Sequence, residues 1–344
     1  MLIRFSTVAL AAGTLVSGLS PSDIPSDTPI SSLLTSAQNH LSRGETIDAL
    51  VYYDAAVARD PNDYLTLFKR ATTYLSLGRT AQATEDFNRV LSIKPGFEGA
   101  HAQLGRIKAR GGDWEEAKKQ YHMAMKPEEA KALEVAKGAA KLAEAAAKTG
   151  NWEECASQAD EAIKVAVRSL PLRELRARCR FESGYAAGGI ADLQHVLQMK
   201  AGDTSPHVKI SAIQFYALSE LENGLGSIRK CLHSDPDSKV CRKLLNQEKA
   251  IDKALQRIAR NLENKQFTIA SRQLIPTGEG DGLIKEVKEQ VKILREDGTI
   301  PSSLPDSLVS RLVSMACEAF HEVGYIIHFC RGCSPTDIMY SQKT

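Results

Sequence analysis

The sequence has little of what enzymes and nucleic-acid-binding proteins need. Its 344 residues carry a formal net charge of only +2, which gives no reason to expect a nucleic acid or a membrane surface as a partner. It contains no phosphate-binding loop, nucleophile elbow or paired-carboxylate motif, and its eight histidines are scattered without a metal-ligand spacing. We therefore expect no catalytic residue, no metal, no cofactor and no enzymatic activity.

Aromatic residues are also scarce, at 6% of the chain, and only two are tryptophans. Apolar residues make up 43% and charged residues 25%, which is ordinary for a soluble protein that folds around a core. Alanine is abundant instead, which favours helices that pack closely through small side chains. After the N-terminus no apolar run approaches the length of a membrane-spanning helix, so we expect no membrane span in the mature chain.

The N-terminus carries the longest apolar run. Arg4 precedes the stretch from Phe5 to Val16, and the small residues Ser17 and Gly18 follow it. A basic start, a short apolar core and a small-residue exit are typical of a cleavable secretory signal. We assign this signal to residues 1–18 and a polar linker to residues 19–29; a buried or anchoring helix is the alternative. The chain ends in "SQKT", without a Lys-Asp-Glu-Leu-type retention signal.

Glycines recur with a nearly fixed period. Gly44, Gly78, Gly112, Gly150 and Gly184 are separated by 34, 34, 38 and 34 residues. Each of the first three glycines is followed by an alanine five residues later and by an aromatic residue nine residues later. Pro61 and Pro95 close the first two units. This pattern is typical of the tetratricopeptide repeat, in which two helices joined by a glycine turn form a hairpin and a proline ends the second helix.

The later units are degenerate but can be counted. We place repeats 1–3 at residues 30–126, repeats 4–6 at 127–238 and repeats 7–8 at 239–324, with the last one incomplete. The expected fold is all-α, a superhelical solenoid of about seven to eight helical hairpins. Residues 325–344 support no repeat helix, and we interpret them either as a divergent tail or as the result of truncation or mis-splicing.

Three segments resemble one protein family. They are "LRELRARC" at residues 172–179, "GIADLQHVLQMKAGDTSPHVKIS" at 189–211 and "IRKCLHSDPDSKVCRKLL" at 228–245. They are similar to segments of the endoplasmic-reticulum lumenal co-chaperones that join tetratricopeptide repeats to a C-terminal J domain. The resemblance covers about residues 30–324 and is specific in the middle third. It implies a lumenal protein that binds unfolded polypeptides; the family is also described as inhibiting stress-activated translation-initiation kinases.

The J domain of that family carries a His-Pro-Asp loop that stimulates the ATPase of the lumenal Hsp70. No His-Pro-Asp triplet occurs in this sequence, and "HSDPD" at residues 233–237 belongs to a repeat turn. We therefore do not expect this chain to stimulate Hsp70 by the J-domain route. What remains of the family's activities is the binding of client polypeptides.

The first helix of each hairpin lines the concave groove of such a solenoid. In repeats 1 and 2 we assign apolar residues to its inward positions: Leu34, Leu41, Leu65, Phe68 and Leu75. Repeat modules that hold acidic peptide tails need lysine and asparagine there, whereas this chain has Leu34 and Gln38, then Phe68 and Thr72. An apolar groove suits unfolded chains, because burying one apolar side chain contributes about 1.5–3 kcal/mol. Packing between helices is the alternative role for each leucine, and we expect Phe68→Glu to weaken client binding without unfolding the array.

Seven cysteines in a secretory protein suggest disulfides. Cys231 lies in the last turn of one expected helix and Cys241 in the first turn of the next, and a hairpin can bring such ends within bridging distance. The resembling family has two cysteines at the same spacing, and we predict this disulfide. Cys317 and Cys333 form a second candidate pair, and "CRGC" at residues 330–333 has a redox or zinc half-site spacing that we interpret as coincidental.

One phrase occurs twice, with Trp114 and Trp152 each just after a turn glycine. We expect both rings to seal the first helix of a hairpin against the second. Cys155 stands at the small-residue position that alanine holds in the first three repeats. We therefore interpret Cys155 as a packing residue rather than a nucleophile.

Taken together, the sequence predicts an endoplasmic-reticulum lumenal co-chaperone. It would bind unfolded or misfolded polypeptides through the apolar groove and hold them for the lumenal Hsp70. A scaffold for specific folded partners is one alternative, and it predicts saturable binding to a single partner. A regulator of a stress-activated kinase on the cytosolic side is another, and it requires that residues 1–18 fail to act as a signal.

Overall fold

The computed structural model describes residues 19–200, 202–275 and 282–324. Within these ranges the chain forms α-helices and no β-strand, so the all-α prediction is confirmed. The helices are α1 (Ile30–Ser42), α2 (Thr46–Arg59), α3 (Tyr64–Ser76), α4 (Thr80–Ile93), α5 (Glu98–Gly111), α6 (Trp114–Met123), α7 (Pro127–Thr149), α8 (Trp152–Val165), α9 (Leu170–Glu182), α10 (Ala186–Met199), α11 (Ser205–Ala212), α12 (Leu221–Ser234), α13 (Lys239–Glu263), α14 (Phe267–Leu274), α15 (Leu283–Glu296) and α16 (Ser307–Glu322). The predicted signal, the predicted tail and the Cys317–Cys333 pair involve residues outside the described ranges.

The periodic glycines form the turns inside the hairpins. All five have positive φ angles, between 73° and 86°, which is the left-handed conformation that glycine adopts without steric cost. The turn at Gly44 joins α1 to α2, and the same geometry joins each helix pair up to α9 and α10. The spacing of these glycines therefore determines where each hairpin reverses direction.

Small and aromatic residues form the core of the first three repeats. The alanines at the small positions, Ala49, Ala83 and Ala117, are fully buried, and the rings that follow them, Tyr53, Phe87 and Tyr121, are at most 8% exposed. Gly105 shows how closely the helices approach, because a Cβ atom there would lie 2.8 Å from the ring of Tyr121. The repeat pattern in the sequence is thus the pattern of interhelical contacts.

Two of the later turns reverse direction without glycine. Ser219 (φ 60°) precedes α12 and Lys265 (φ 57°) precedes α14, each in the left-handed conformation that glycine holds earlier in the chain. A π-helical turn, Ile213–Ala217, also interrupts the hairpin of α11 and α12. The degenerate repeats therefore keep the geometry of the turn while losing its usual residue.

The chain divides into two compact units between Glu134 and Val135, a point that lies within α7. We call them the N-terminal and the C-terminal unit and describe each by itself. In the N-terminal unit, the predicted polar linker is held against α2: the backbone N–H of Leu19 donates to Asp48 (3.0 Å) and the guanidinium of Arg59 donates to the Pro25 carbonyl (2.9 Å). None of the helices in the described ranges is long and apolar enough to cross a membrane.

Among the described residues two cysteine pairs lie at bonding distance, both in the C-terminal unit. The predicted pair, Cys231 and Cys241, joins the end of α12 to the start of α13 with 6.2 Å between the Cα atoms. The second pair, Cys155 and Cys179, joins α8 to α9 with 6.0 Å between the Cα atoms. Cys155 is fully buried, as expected at a small-residue position, but the sequence interpretation missed its partner.

Trp114 and Trp152 are the first residues of α6 and α8, which is the equivalent place that the sequence indicates. Trp152 packs on a small cluster formed by Ala146, Ala147 and the Cys155–Cys179 pair. Its ring thus contacts the helix on either side of its own, in addition to sealing its hairpin.

Candidate functional site

The five residues assigned to a groove lie on α1 and α3. Leu34 and Leu41 are half-buried and seven residues apart, so they occupy one face of α1. Leu65, Phe68 and Leu75 share one face of α3 by the same periodicity. Leu65 is the most open of the five, with 46% of its surface exposed, whereas Phe68 and Leu75 pack partly against the buried core of repeats 1–3.

Phe68 lies between two other rings. Its centroid is 5.0 Å from that of Phe97 in an edge-to-face arrangement and 5.6 Å from that of the buried Phe87. Gly99 on α5 permits this packing, because a Cβ atom there would lie 3.2 Å from the Phe68 ring. Phe68 therefore contributes to the joint between repeats 2 and 3 as well as to the surface. Consequently, Phe68→Glu tests stability together with binding.

Two aromatic residues that the repeat pattern did not indicate lie beside Phe68. Tyr64, the first residue of α3, makes an edge-to-face contact with Phe97, the residue before α5, at 5.3 Å between centroids. Both are half-buried. Each follows a repeat-closing proline by two or three residues, and this position was the available clue. We call Tyr64, Leu65, Phe68 and Phe97 the α3 patch.

A cation covers one side of the α3 patch. The ammonium of Lys94 lies 4.6 Å from the ring centroid of Tyr64 and 5.6 Å from that of Phe97, and it donates to the Tyr64 hydroxyl at 3.1 Å. Cation–π contact of this kind orients the rings while leaving their outer faces available. The α3 patch is thus an apolar surface with an ordered aromatic edge.

The other side of α3 is fixed by charge. Arg70 forms ion pairs with Asp54 on α2 (2.9 Å) and with Asp86 on α4 (2.7 Å). Burial alone would lower the pKa of Arg70, but its hydrogen bond to Asp86 and the charge of that carboxylate raise the pKa above its ordinary value. Arg70 therefore stays charged and holds α3 between its neighbours, which keeps the α3 patch in place.

Three side chains near the first turn have the donor types of a metal site. The ligand atoms of His40, Glu45 and Asp48 lie within 4.8 Å of one another. His40 Nδ1 is already hydrogen-bonded to Glu45 at 2.7 Å, and Asp48 accepts from the backbone of Leu19 at 3.0 Å. Because these groups are engaged within the protein, they support no metal assignment.

The comparisons with known proteins agree with the fold. The family model for the tetratricopeptide repeat matches residues 52–85, which include α3. The chain is 56% identical over 328 residues to the tetratricopeptide repeat and J domain-containing co-chaperone DNJ1 of Fusarium oxysporum f. sp. lycopersici, covering 94% of this chain and 63% of that protein. It is 30% identical over 340 residues to the DNJ1 of Cryptococcus neoformans var. grubii, covering 93% of this chain and 62% of that protein.

More distant matches point the same way. DnaJ homolog subfamily C member 3 of Mus musculus is 28% identical over 242 residues, covering 67% of this chain and 48% of that protein. The crystal structure of the P58(IPK) TPR domain superposes with a TM-score of 0.64 at 23% identity, over 85% of this chain and 79% of that chain, which supports the fold alone. The chain thus spans 48% to 63% of the length of the DNJ1 and DnaJ homolog relatives. By its repeats and its helical hairpins this chain has the tetratricopeptide-repeat fold, and over most of its own length it is similar to the tetratricopeptide-repeat and J-domain co-chaperones.

Proposed function

We propose that this chain is the client-binding part of a co-chaperone in the endoplasmic-reticulum lumen. It binds unfolded or misfolded polypeptides through the α3 patch and the apolar face of α1 that carries Leu34 and Leu41. It holds these polypeptides for the lumenal Hsp70. The similarity to the DNJ1 co-chaperones supports the co-chaperone role, and the residues of the N-terminal unit support the binding mode.

The observation that carries the proposal is the exposure of Leu65 beside ordered rings. Leu65 is 46% exposed although it lies next to the half-buried Tyr64 and one turn from Phe68. An apolar side chain of an unfolded chain that covers these residues leaves water, and each such burial contributes about 1.5–3 kcal/mol. Aromatic rings add contact area at small entropic cost, which suits a surface that accepts many sequences.

The lumenal location is supported by the cysteines. Two cysteine pairs at bonding distance fit an oxidising compartment, where disulfides form and persist. The secretory signal expected at residues 1–18 agrees with this compartment. Signal cleavage in cells and protease protection of the chain inside microsomes test the location directly.

Suppression of the aggregation of chemically denatured citrate synthase tests the binding mode. We expect Leu65→Ser to weaken suppression, because it removes apolar surface without disturbing the core. Ile47→Ser is the matched control, since Ile47 is 62% exposed on α2, outside the α3 patch. Unchanged suppression with Leu65→Ser would refute the assignment of the patch. Saturable binding to one folded partner, without suppression of aggregation, would instead favour a scaffold.

A further inference from the structure

The C-terminal unit contains a cleft that the client-binding proposal does not use. It has a volume of about 570 Å³ and is lined by residues of α9, α11, the start of α13 and the turn between α15 and α16. Its apolar lining includes Phe181, Val208 and Val240, and Val240 is 62% exposed. The first helices of three successive repeats therefore form its walls, as expected for the binding face of such an array.

The turn between α15 and α16 closes one side of the cleft. Asp297, Gly298 and Thr299 line it, and the hydroxyl of Ser303 donates to the backbone carbonyl of Phe181 at 2.7 Å. Arg295 orders this turn by donating to the carbonyls of Pro301 (2.6 Å) and Leu304 (2.7 Å). The cleft is thus bounded by a fixed segment.

Two cations point to the chemistry of the occupant. Lys209 lines the cleft half-buried, with its ammonium 5.7 Å from the ring centroid of Phe181 and no carboxylate within ion-pair distance in the described part of the chain. Burial lowers its pKa, and the neighbouring charge of Arg178 acts in the same direction against that of Glu182. An anion placed here would supply the partner that the ammonium lacks.

The second cation is oriented by a tryptophan. The guanidinium of Arg178 lies 5.9 Å from the ring centroid of Trp152, and Arg178 also lines the cleft. Arg178 and Lys209 therefore approach the cleft from neighbouring helices, α9 and α11. A planar guanidinium group and an ammonium group together form a suitable site for a carboxylate.

Most of the acidic residues of the lining are already engaged. Asp203 pairs with Lys200 at 3.1 Å and accepts from the backbone of Ser205, also at 3.1 Å. Asp297 accepts from the backbone of Thr299 at 2.8 Å. Glu174 is exposed one turn before Arg178. Lys209 therefore remains a cation without an ion-pair partner among the described residues, and it lies beside an apolar wall.

We propose that this cleft binds an extended segment of another polypeptide in which an aspartate or glutamate side chain is flanked by aliphatic residues. The carboxylate lies between Lys209 and Arg178, and the aliphatic side chains cover Phe181, Val208 and Val240. This site belongs to the C-terminal unit, whereas the α3 patch belongs to the N-terminal unit. It selects its occupant by an acidic side chain, whereas the α3 patch accepts unfolded chains of many sequences.

A fluorescent peptide tests the proposal in the full chain. The probe is the N-acetylated, C-amidated sequence Gly-Leu-Glu-Val-Asp-Leu-Gly, compared by fluorescence anisotropy with the same sequence carrying Gln and Asn. We expect the acidic peptide to bind and the neutral one to bind about tenfold more weakly. Lys209→Met keeps the hydrocarbon stem over Phe181 and should weaken the binding of the acidic peptide by about the same factor.

Matched variants separate this site from others. Lys230→Met removes an exposed cation on α12 and Leu65→Ser alters the α3 patch; neither should change peptide binding. The proposal is wrong if the wild-type chain does not bind the acidic peptide, if both peptides bind equally, or if Lys209→Met has no greater effect than Lys230→Met. Because Leu65→Ser acts only on client binding, failure of one proposal leaves the other standing.

Discussion

Arg70 and Asp86 form a two-point ion pair between α3 and α4: Nε donates to Oδ2 and Nη2 donates to Oδ1, both at 2.7 Å. Asp86 is sixteen residues after Arg70, and Asp54, the second partner of Arg70, is sixteen residues before it. In the C-terminal unit Arg176 repeats the arrangement with Asp160 and Asp192, again sixteen residues away on either side. An arginine in the first helix of a repeat thus binds the second helices of its own repeat and of the preceding one.

Arg70→Met should destabilise the N-terminal unit by about 3 kcal/mol, because it leaves the Asp86 carboxylate, with a side chain 4% exposed, buried without its partner. Arg89→Met is the matched control: Arg89 reaches the same carboxylate at 3.8 Å but is 41% exposed, so the loss should stay below about 1 kcal/mol. Urea unfolding followed by Trp114 fluorescence, in a Trp152→Phe background, measures both. Equal losses would contradict the assigned role of Arg70.

Glu248 is a fully buried acid that shares one hydrogen-bond donor, the hydroxyl of Ser211, with a backbone carbonyl. Ser211 Oγ lies 2.8 Å from Glu248 Oε1 and 2.8 Å from the Gly224 carbonyl. The hydroxyl of Ser211 has one proton for these two acceptors, so it stabilises a charged Glu248 carboxylate only weakly. Burial raises the pKa of Glu248 to about 8, although the hydrogen bond from Ser211 opposes this. The carboxyl group is therefore neutral in the folded protein near pH 7.

This pKa predicts how stability depends on pH. The folded state holds the Glu248 proton more tightly than the unfolded state, whose pKa is near 4.5, so the stabilisation is complete below about pH 4.5 and is lost as the pH rises to about 8. Each rise of one pH unit within this window lowers the free energy of unfolding by about 1.4 kcal/mol. Glu248→Gln should remove this dependence, because an amide does not titrate and can still accept a hydrogen bond from Ser211. Unfolding of the C-terminal unit between pH 5 and 9, followed by Trp152 fluorescence, tests this.

Glu289→Gln is the matched control for Glu248, since Glu289 is exposed on α15 of the same unit. The control should retain the pH dependence of the wild-type chain. A Glu248→Gln variant with the same pH profile as the wild type would show that Glu248 is already ionised in the folded protein.

Ser219→Gly should stabilise the C-terminal unit by about 1 kcal/mol. Ser219 has a φ of 60°, and its buried hydroxyl has no hydrogen-bond partner within the described residues. Glycine removes both costs, since left-handed backbone costs other residues about 1–2 kcal/mol. Gly184→Ser, the reverse change at the equivalent turn with φ 83°, should destabilise. Thermal midpoints of the two variants should therefore move in opposite directions; a lower midpoint for Ser219→Gly would contradict the strain assigned to this turn.

Loss of the Cys155–Cys179 bridge should destabilise the C-terminal unit by about 3 kcal/mol when both cysteines are replaced by alanine. Its partners are 24 residues apart, compared with 10 for Cys231 and Cys241, so chain entropy predicts a slightly smaller loss for the second pair. Peptide mapping of the non-reduced protein checks the pairing independently. Detection of free thiols at Cys155 and Cys179 would show that the bridge does not form.

The regular part of the fold could be predicted from the sequence, because each signal is local. Gly44 and its periodic equivalents determine the turns, and alanine and aromatic residues at fixed offsets from them form the core. The apolar character of Leu65 was also evident. The glycine period does not predict the turns at Ser219 and Lys265, which adopt the left-handed backbone conformation without being glycine.

The remaining features depend on contacts between repeats. Cys155 and Cys179 lie in different repeats, so their spacing matches no local motif. Phe97 belongs to the entry of repeat 3 but completes a surface centred on repeat 2. Such partners are fixed only when adjacent hairpins stack, because each helix then determines which side chain of its neighbour remains exposed.

The hydrogen bond from Ser303 to the Phe181 carbonyl joins residues that are 122 positions apart. In a linear array each repeat contacts only its neighbours, so structure can be lost progressively from an end. A contact between the last repeat and the fifth connects the end of such an array to its middle. Repeats 5–8 therefore resemble a globular domain in their folding: they should form and melt in one cooperative step, and more slowly than a linear array, since a long chain segment must close first.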